Sequence, residues 1–109
     1  MTTFDDRERA FEAKFAHDDE LRFRVIARRN RLLGEWAARQ MGLSDAETES
    51  YAKDVVRADF EEAGDQDVIR KVVGDLTTAG VETSDEAVAE ALRHKEVEAR
   101  RQIIEATNL

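Results

Sequence analysis

Apolar residues recur at helical spacing along nearly the whole chain. Phe4, Phe11 and Phe15 lie seven and four residues apart, which at 100° per residue gathers them into a strip about 40° wide. Thr3, with Asp6 three residues on, marks the start of that helical run. From Leu21 to Met41 a stronger stripe carries Val25, Ile26, Leu32, Leu33, Trp36 and Ala37 on one face, with Gly42 as its stop. The two stripes are in phase through positions 4, 11, 15, 22, 26, 29, 33 and 36, so one unbroken helix would present one continuous face. Ser44 and Glu47 form a capping box, and the helix they open turns Tyr51, Ala52, Val55, Val56 and Phe60 inward before ending at Ala63–Gly64. Asp65 caps the next helix, with Val68, Ile69, Val72, Val73 and Leu76 inward and Gly80 closing it. The Val72–Val73 pair would suit a strand, but the spacing selects helix. Thr83 and Glu86 make a second capping box, before a helix through Val88, Ala91, Leu92, Ala99 and Ile103 to about Ala106. The pattern predicts an all-α chain: a four-helix bundle-like domain over residues 20–109, preceded by a mobile segment over residues 1–19.

Mobility is expected of the first segment because its apolar strip is thin. Asp5, Asp6, Glu8, Glu12 and Lys14 lie between the phenylalanines, and short isolated helices are marginal in water. Asp18-Asp19-Glu20 then separates the strip from the main core pattern. A partner surface is the preferred cover for the strip; the competing possibility is that the phenylalanines pack back across the bundle as a fifth layer.

Composition fits long helices with short breaks: proline is absent and glycine occurs five times. Aromatic residues make up only 6%, so the core must rest on Val, Ile, Leu and Ala. Without cysteine there are no disulfides and no thiolate or Cys–zinc chemistry. The polar N-terminus is no secretory signal and no apolar run approaches a membrane span, so a cytoplasmic protein is expected. A net charge of −8 argues against nucleic-acid binding, a helix-turn-helix role included. That charge is unevenly placed: residues 21–40 hold six arginines and one acid, whereas residues 41–83 hold eleven acids and four bases.

The residues offer little for catalysis. There is no Gly-rich phosphate loop, nucleophile elbow or Cys/His pair, and a non-enzymatic protein is expected. His17 with Glu20, and His94 with Glu90 or Glu98, lack a third ligand, so no metal is expected. The arginine block is the stronger candidate. Arg22, Arg28, Arg29 and Arg31 have the chemistry to hold the phosphates of a nucleotide or an acidic partner strip. Their simplest role is to pair with the acidic second helix. On a helical wheel Arg24, Arg28, Arg31 and Arg39 face outward, whereas Arg22 and Arg29 project into the apolar stripe. There they require carboxylates, with Asp59, Glu61, Glu62, Asp65 and Asp67 as candidates.

The opening run Thr3-Phe4-Asp5-Asp6-Arg7-Glu8-Arg9-Ala10-Phe11-Glu12-Ala13-Lys14-Phe15-Ala16-His17-Asp18 closely resembles the start of the zeta subunit of the α-proteobacterial F-type ATP synthase. The similarity continues through Ala27-Arg28-Arg29-Asn30-Arg31-Leu32-Leu33-Gly34, Trp36-Ala37-Ala38 and Asp59-Phe60-Glu61-Glu62-Ala63-Gly64-Asp65, then Val68 and Arg70-Lys71-Val72. The resemblance implies a four-helix regulatory subunit that inhibits ATP hydrolysis; a monomer is expected. Its N-terminal segment would insert between catalytic and non-catalytic subunits of the head (alpha and beta) against the gamma rotor stalk, blocking rotation in the hydrolytic direction. It would sit on the cytoplasmic face of the inner membrane through the ATP synthase, without inserting in the membrane. Carried onto this sequence, the inhibitory contacts are Phe4, Asp5, Asp6, Arg7, Glu8, Arg9, Phe11, Glu12, Lys14 and Phe15. No cofactor is implied. The alternative is an adenine-nucleotide sensor, taking ATP or ADP at Arg22, Arg28, Arg29 and Arg31, a ligand also attributed to the family.

Overall fold

The stripes form helices of unequal length, and that inequality organises the fold. The computed structural model describes residues 3–61 and 64–107, with side chains for residues 5–59 and 64–106. It contains α1 (Thr3–Phe15), α2 (Asp19–Gln40), α3 (Asp45–Glu61), α4 (Asp65–Thr78) and α5 (Asp85–Thr107). The all-α expectation holds, and the Val72–Val73 pair is helical. Helix α2 is the hub, flanked by α3 and α5, with α4 packed across all three. Leu33, Ala37, Val55, Val68, Ile69, Val72, Leu76, Val88 and Leu92 form the principal core from these four helices. Helix α4 has 14 residues against 22 in α2 and 23 in α5. At 1.5 Å per residue it falls about 12 Å short of either neighbour. Beyond its reach, Leu21 and Val25 of α2 meet Ala99, Ile103 and Ile104 of α5 in a second apolar cluster, which α1 completes with Phe11.

Local signals end and start the helices much as expected. After α2, Gly42 (φ 73°) donates to the Arg39 carbonyl and Leu43 to that of Ala38, a Schellman ending that needs a left-handed residue at Gly42. Gly80 and Val81 repeat it after α4. The Ser44–Glu47 capping box is formed reciprocally: Ser44 N–H donates to Glu47 at 3.0 Å, and Glu47 N–H to the Ser44 hydroxyl at 3.2 Å. Two starts differ. Ser84, not Thr83, caps α5 by accepting from Ala87 N–H at 3.1 Å. Gly64, not Asp65, occupies the cap position of α4, because the Asp65 carboxylate is drawn to Arg29. The proposed cap at the start of α1, and the side chains of Phe4, Phe60, Glu61 and Glu62, lie outside the described residues.

The in-phase stripes of the first forty residues do not make one helix here. Ala16 and His17 turn, and Asp18 adopts an extended backbone (φ −117°, ψ 101°) that caps α2 by accepting from Leu21 N–H at 3.0 Å. A short polar residue that can satisfy an orphan N–H competes with helix continuation at this position. Helix α1 therefore lies against α2 and α5 as a separate element.

Candidate functional site

Two places concentrate the residues singled out above. The first is the seat of α1. Phe11 is fully buried among Leu21, Val25, Ala99, Ile103 and Ile104. Phe15 stacks on it with ring centroids 5.7 Å apart, and lies under the guanidinium of Arg100 at 4.8 Å and of Arg22 at 5.9 Å. Arg7 donates to the Ile104 carbonyl at 2.8 Å, in the last turn of α5, where carbonyls lack helical partners and the helix dipole favours a cation. Of the two possible covers for the phenylalanine strip, the body's own seam covers Phe11 and Phe15 in this arrangement. The polar side of α1 faces water: Asp5, Asp6, Glu8, Arg9, Glu12 and Lys14 are exposed. The seat is imperfect. A cavity of about 110 Å³ remains between Glu8, Phe11, Glu12, Val97, Arg100, Arg101 and Ile104, and the Nε donors of Arg7 and Arg100 are buried without acceptors.

The second place is the face of α2 turned away from α4. Phe23, Arg24, Ala27, Arg28 and Arg31, with Lys53 and Val56 of α3 and Ile103 of α5, line an open groove of about 580 Å³. Phe23, 53% exposed, forms its apolar lip. The Arg31 guanidinium bonds Glu49 and pairs with Glu35; these acids hold its proton more tightly, and Arg31 in turn holds the Glu49 carboxyl below its ordinary range. Arg28 reaches Gln102 at 3.3 Å. In an adjoining cavity of about 220 Å³ with Phe23, Val56 and Asp59 sits Asn30, whose Nδ2 donor is buried without a partner.

The four arginines proposed together are not together. Arg28 and Arg31 line the groove. Arg29, 3% exposed, points into the protein and donates to Asp65 at 3.0 Å, Glu96 at 3.2 Å and the Asn30 side-chain Oδ1 at 3.1 Å. The wheel placed Arg29 correctly and Asp65 was among its named partners; Glu96 was not. Arg22 was expected in the stripe but is half exposed, resting on Phe15 and Asp19, because the stripe at its level is the outer edge of the α1 seat. Arg24 and Lys53 were missed as groove residues, and Asn30 as a residue of the adjoining cavity. Arg24 was legible as an outward arginine one turn before Arg28; Lys53 and Asn30 depend on how α3 packs.

No cluster of three or more metal-ligating side chains occurs among the described residues. Nor, among them, is any helix long and apolar enough to cross a membrane. A solution NMR structure is similar to this chain, with a TM-score of 0.69 and 40% sequence identity over 79% of this chain and 98% of that one. No curated protein matches. A family model described as ATPase inhibitor subunit zeta matches residues 1–102, from the α1 strip through most of α5, and the chain belongs to that family.

Proposed function

We propose that this protein is a non-catalytic regulatory subunit that inhibits ATP hydrolysis by an ATP synthase, inserting its N-terminal segment beside the rotor stalk at an interface of catalytic and non-catalytic subunits. The carrying observation is that the family match begins at residue 1 and so includes the whole of α1. The geometry supports a separable segment. Helix α1 is tied to the body through the link at residues 16–18, and Asp18 satisfies the start of α2 without help from α1. Residues 1–19 would act as the inhibitory arm, with Phe4, Phe11 and Phe15 as apolar contacts and Asp5, Asp6, Arg7, Glu8, Arg9, Glu12 and Lys14 as charged ones. Residues 20–109 would anchor it on the alpha, beta and gamma subunits, raising its local concentration. The protein would then be peripheral, held at the membrane face through the enzyme. Deleting residues 1–14 should leave a helical body and abolish inhibition of ATP hydrolysis. Phe11→Ala should weaken inhibition by ~1–3 kcal/mol, as for an interfacial aromatic. Undiminished inhibition by the truncated protein would sink the proposal.

A second activity, adenine-nucleotide binding, is favoured by the basic groove. Arg24, Arg28 and Lys53 surround an apolar floor, and the Asn30 donor lies alongside without an acceptor. The site proposed here is thus Arg28 and Arg31 with Arg24 and Lys53, not Arg22 and Arg29. Millimolar ATP should shift the amide resonances of residues 23–31 and 53–56; the absence of any shift there rejects it.

A further inference from the structure

We propose that α1 is an autoinhibitory latch: the seam between α2 and α5 holds the inhibitory segment in a resting position, and the segment must leave that seam before it can act on a partner. This rests on the inhibitory role proposed for α1. Phe11 has no exposed surface left for a second protein, Phe15 is stacked on it and covered by Arg100, and Arg7 is spent on the Ile104 carbonyl. The apolar contacts proposed for the partner are therefore the ones the body already occupies, and the two bindings exclude each other.

The seam exists because α4 is too short to cover it. Leu21, Val25, Ala99, Ile103 and Ile104 form an apolar strip that favours a cover, and α1 supplies Phe11. Opposing this, the Arg7 and Arg100 Nε donors are buried without acceptors and a cavity of about 110 Å³ is left unfilled. Unpaired buried donors and lost packing both favour opening. The same seat that attracts the helix thus holds it weakly. Such a balance suits exchange between a resting and an armed state, with the apparent affinity for the partner lowered by the fraction of molecules latched.

The chain has no cysteine, so the latch can be locked cleanly in the full-length protein. Glu8→Cys with Arg101→Cys, and Glu12→Cys with Val97→Cys, each place one thiol on α1 and one on α5 around the same cavity. Oxidised protein should inhibit ATP hydrolysis by the isolated catalytic head at least tenfold more weakly than the same sample after reduction. Equal inhibition by the oxidised and reduced forms overturns the latch. A second arm does not depend on inhibition. Ile104→Ala, which trims the seat without touching α1, should speed amide hydrogen exchange over residues 5–15 severalfold while leaving α4 unchanged. If exchange in α1 is unaffected, the contact does not hold the helix. Wild-type protein that fails to inhibit at all rejects the inhibitory role instead, and the exchange result still decides the contact.

Discussion

Arg29 is almost excluded from water, while the two carboxylates that hold it remain about half exposed. The buried partner is the one that cannot lose its charge, so the acids guard against an uncompensated cation. Losing either acid alone leaves the other bonded and should cost about 1 kcal/mol. Asp65→Asn combined with Glu96→Gln should cost about 3–5 kcal/mol, more than the sum of the single changes. Urea unfolding of the four proteins measures it, and simple additivity would show that the guanidinium is held by other means. Sequence reasoning found this arginine because its wheel position lies in the apolar stripe. It missed Glu96, 67 residues away, because that partner is set by the register of α5 against α2. Gly34 escaped for the same reason. A Cβ there would lie 2.7 Å from the Ala52 Cα, a close approach of α2 and α3 that no local pattern announces.

Each helix, by contrast, is bounded by signals only a few residues long, and these were readable. The capping box of α3 also carries a pH dependence. The Ser44 backbone N–H, followed by its hydroxyl, holds the Glu47 carboxyl below the ordinary range, and Arg31 does the same for Glu49. A lowered folded-state value means the contribution is complete above the unfolded value of about 4.3 and fades as pH falls through the folded value. Stability should therefore decline as pH drops below about 4, and Glu47→Gln should flatten part of that decline. Urea midpoints of the two proteins between pH 3 and 6 test this; parallel curves would remove Glu47 from the acid limb. Element-level expectations missed at Thr83, where two adjacent polar residues competed for one cap, and at Asp65, which follows the cap residue Gly64. The choice between Thr83 and Ser84 was beyond local spacing, and Asp65 was taken by a tertiary ion pair.

At the scale of the molecule, α1 closes one end of the α2–α5 pair and α4 closes the other. Among the described residues, only the α4 end draws on all four body helices, so the body should survive loss of α1. Removing residues 1–14 uncovers the Leu21–Ile104 seam but also relieves the ordering of α1, two effects of opposite sign. A net loss of about 1 kcal/mol, or roughly 4–8 °C in Tm, is expected, with cooperative melting retained. Thermal melts followed by circular dichroism check it; loss of the cooperative transition would make α1 part of the core.

The sequence by itself determined the helices, their main stops, the outward arginines and the family, because periodicity, caps and motifs are short-range properties written in neighbouring residues. It also contained the phase match of Phe4, Phe11 and Phe15 with the α2 stripe, which permits either a straight helix or a folded one. Only the tertiary structure decided that Phe11 lies in the body's own seam, that Arg28 and Arg31 border a groove, and that Glu96 completes an ion cluster around the inward Arg29. Those outcomes rest on the lengths and register of helices far apart in the chain: α4 is too short to cover what α2 and α5 expose, and α1 is the apolar surface within reach.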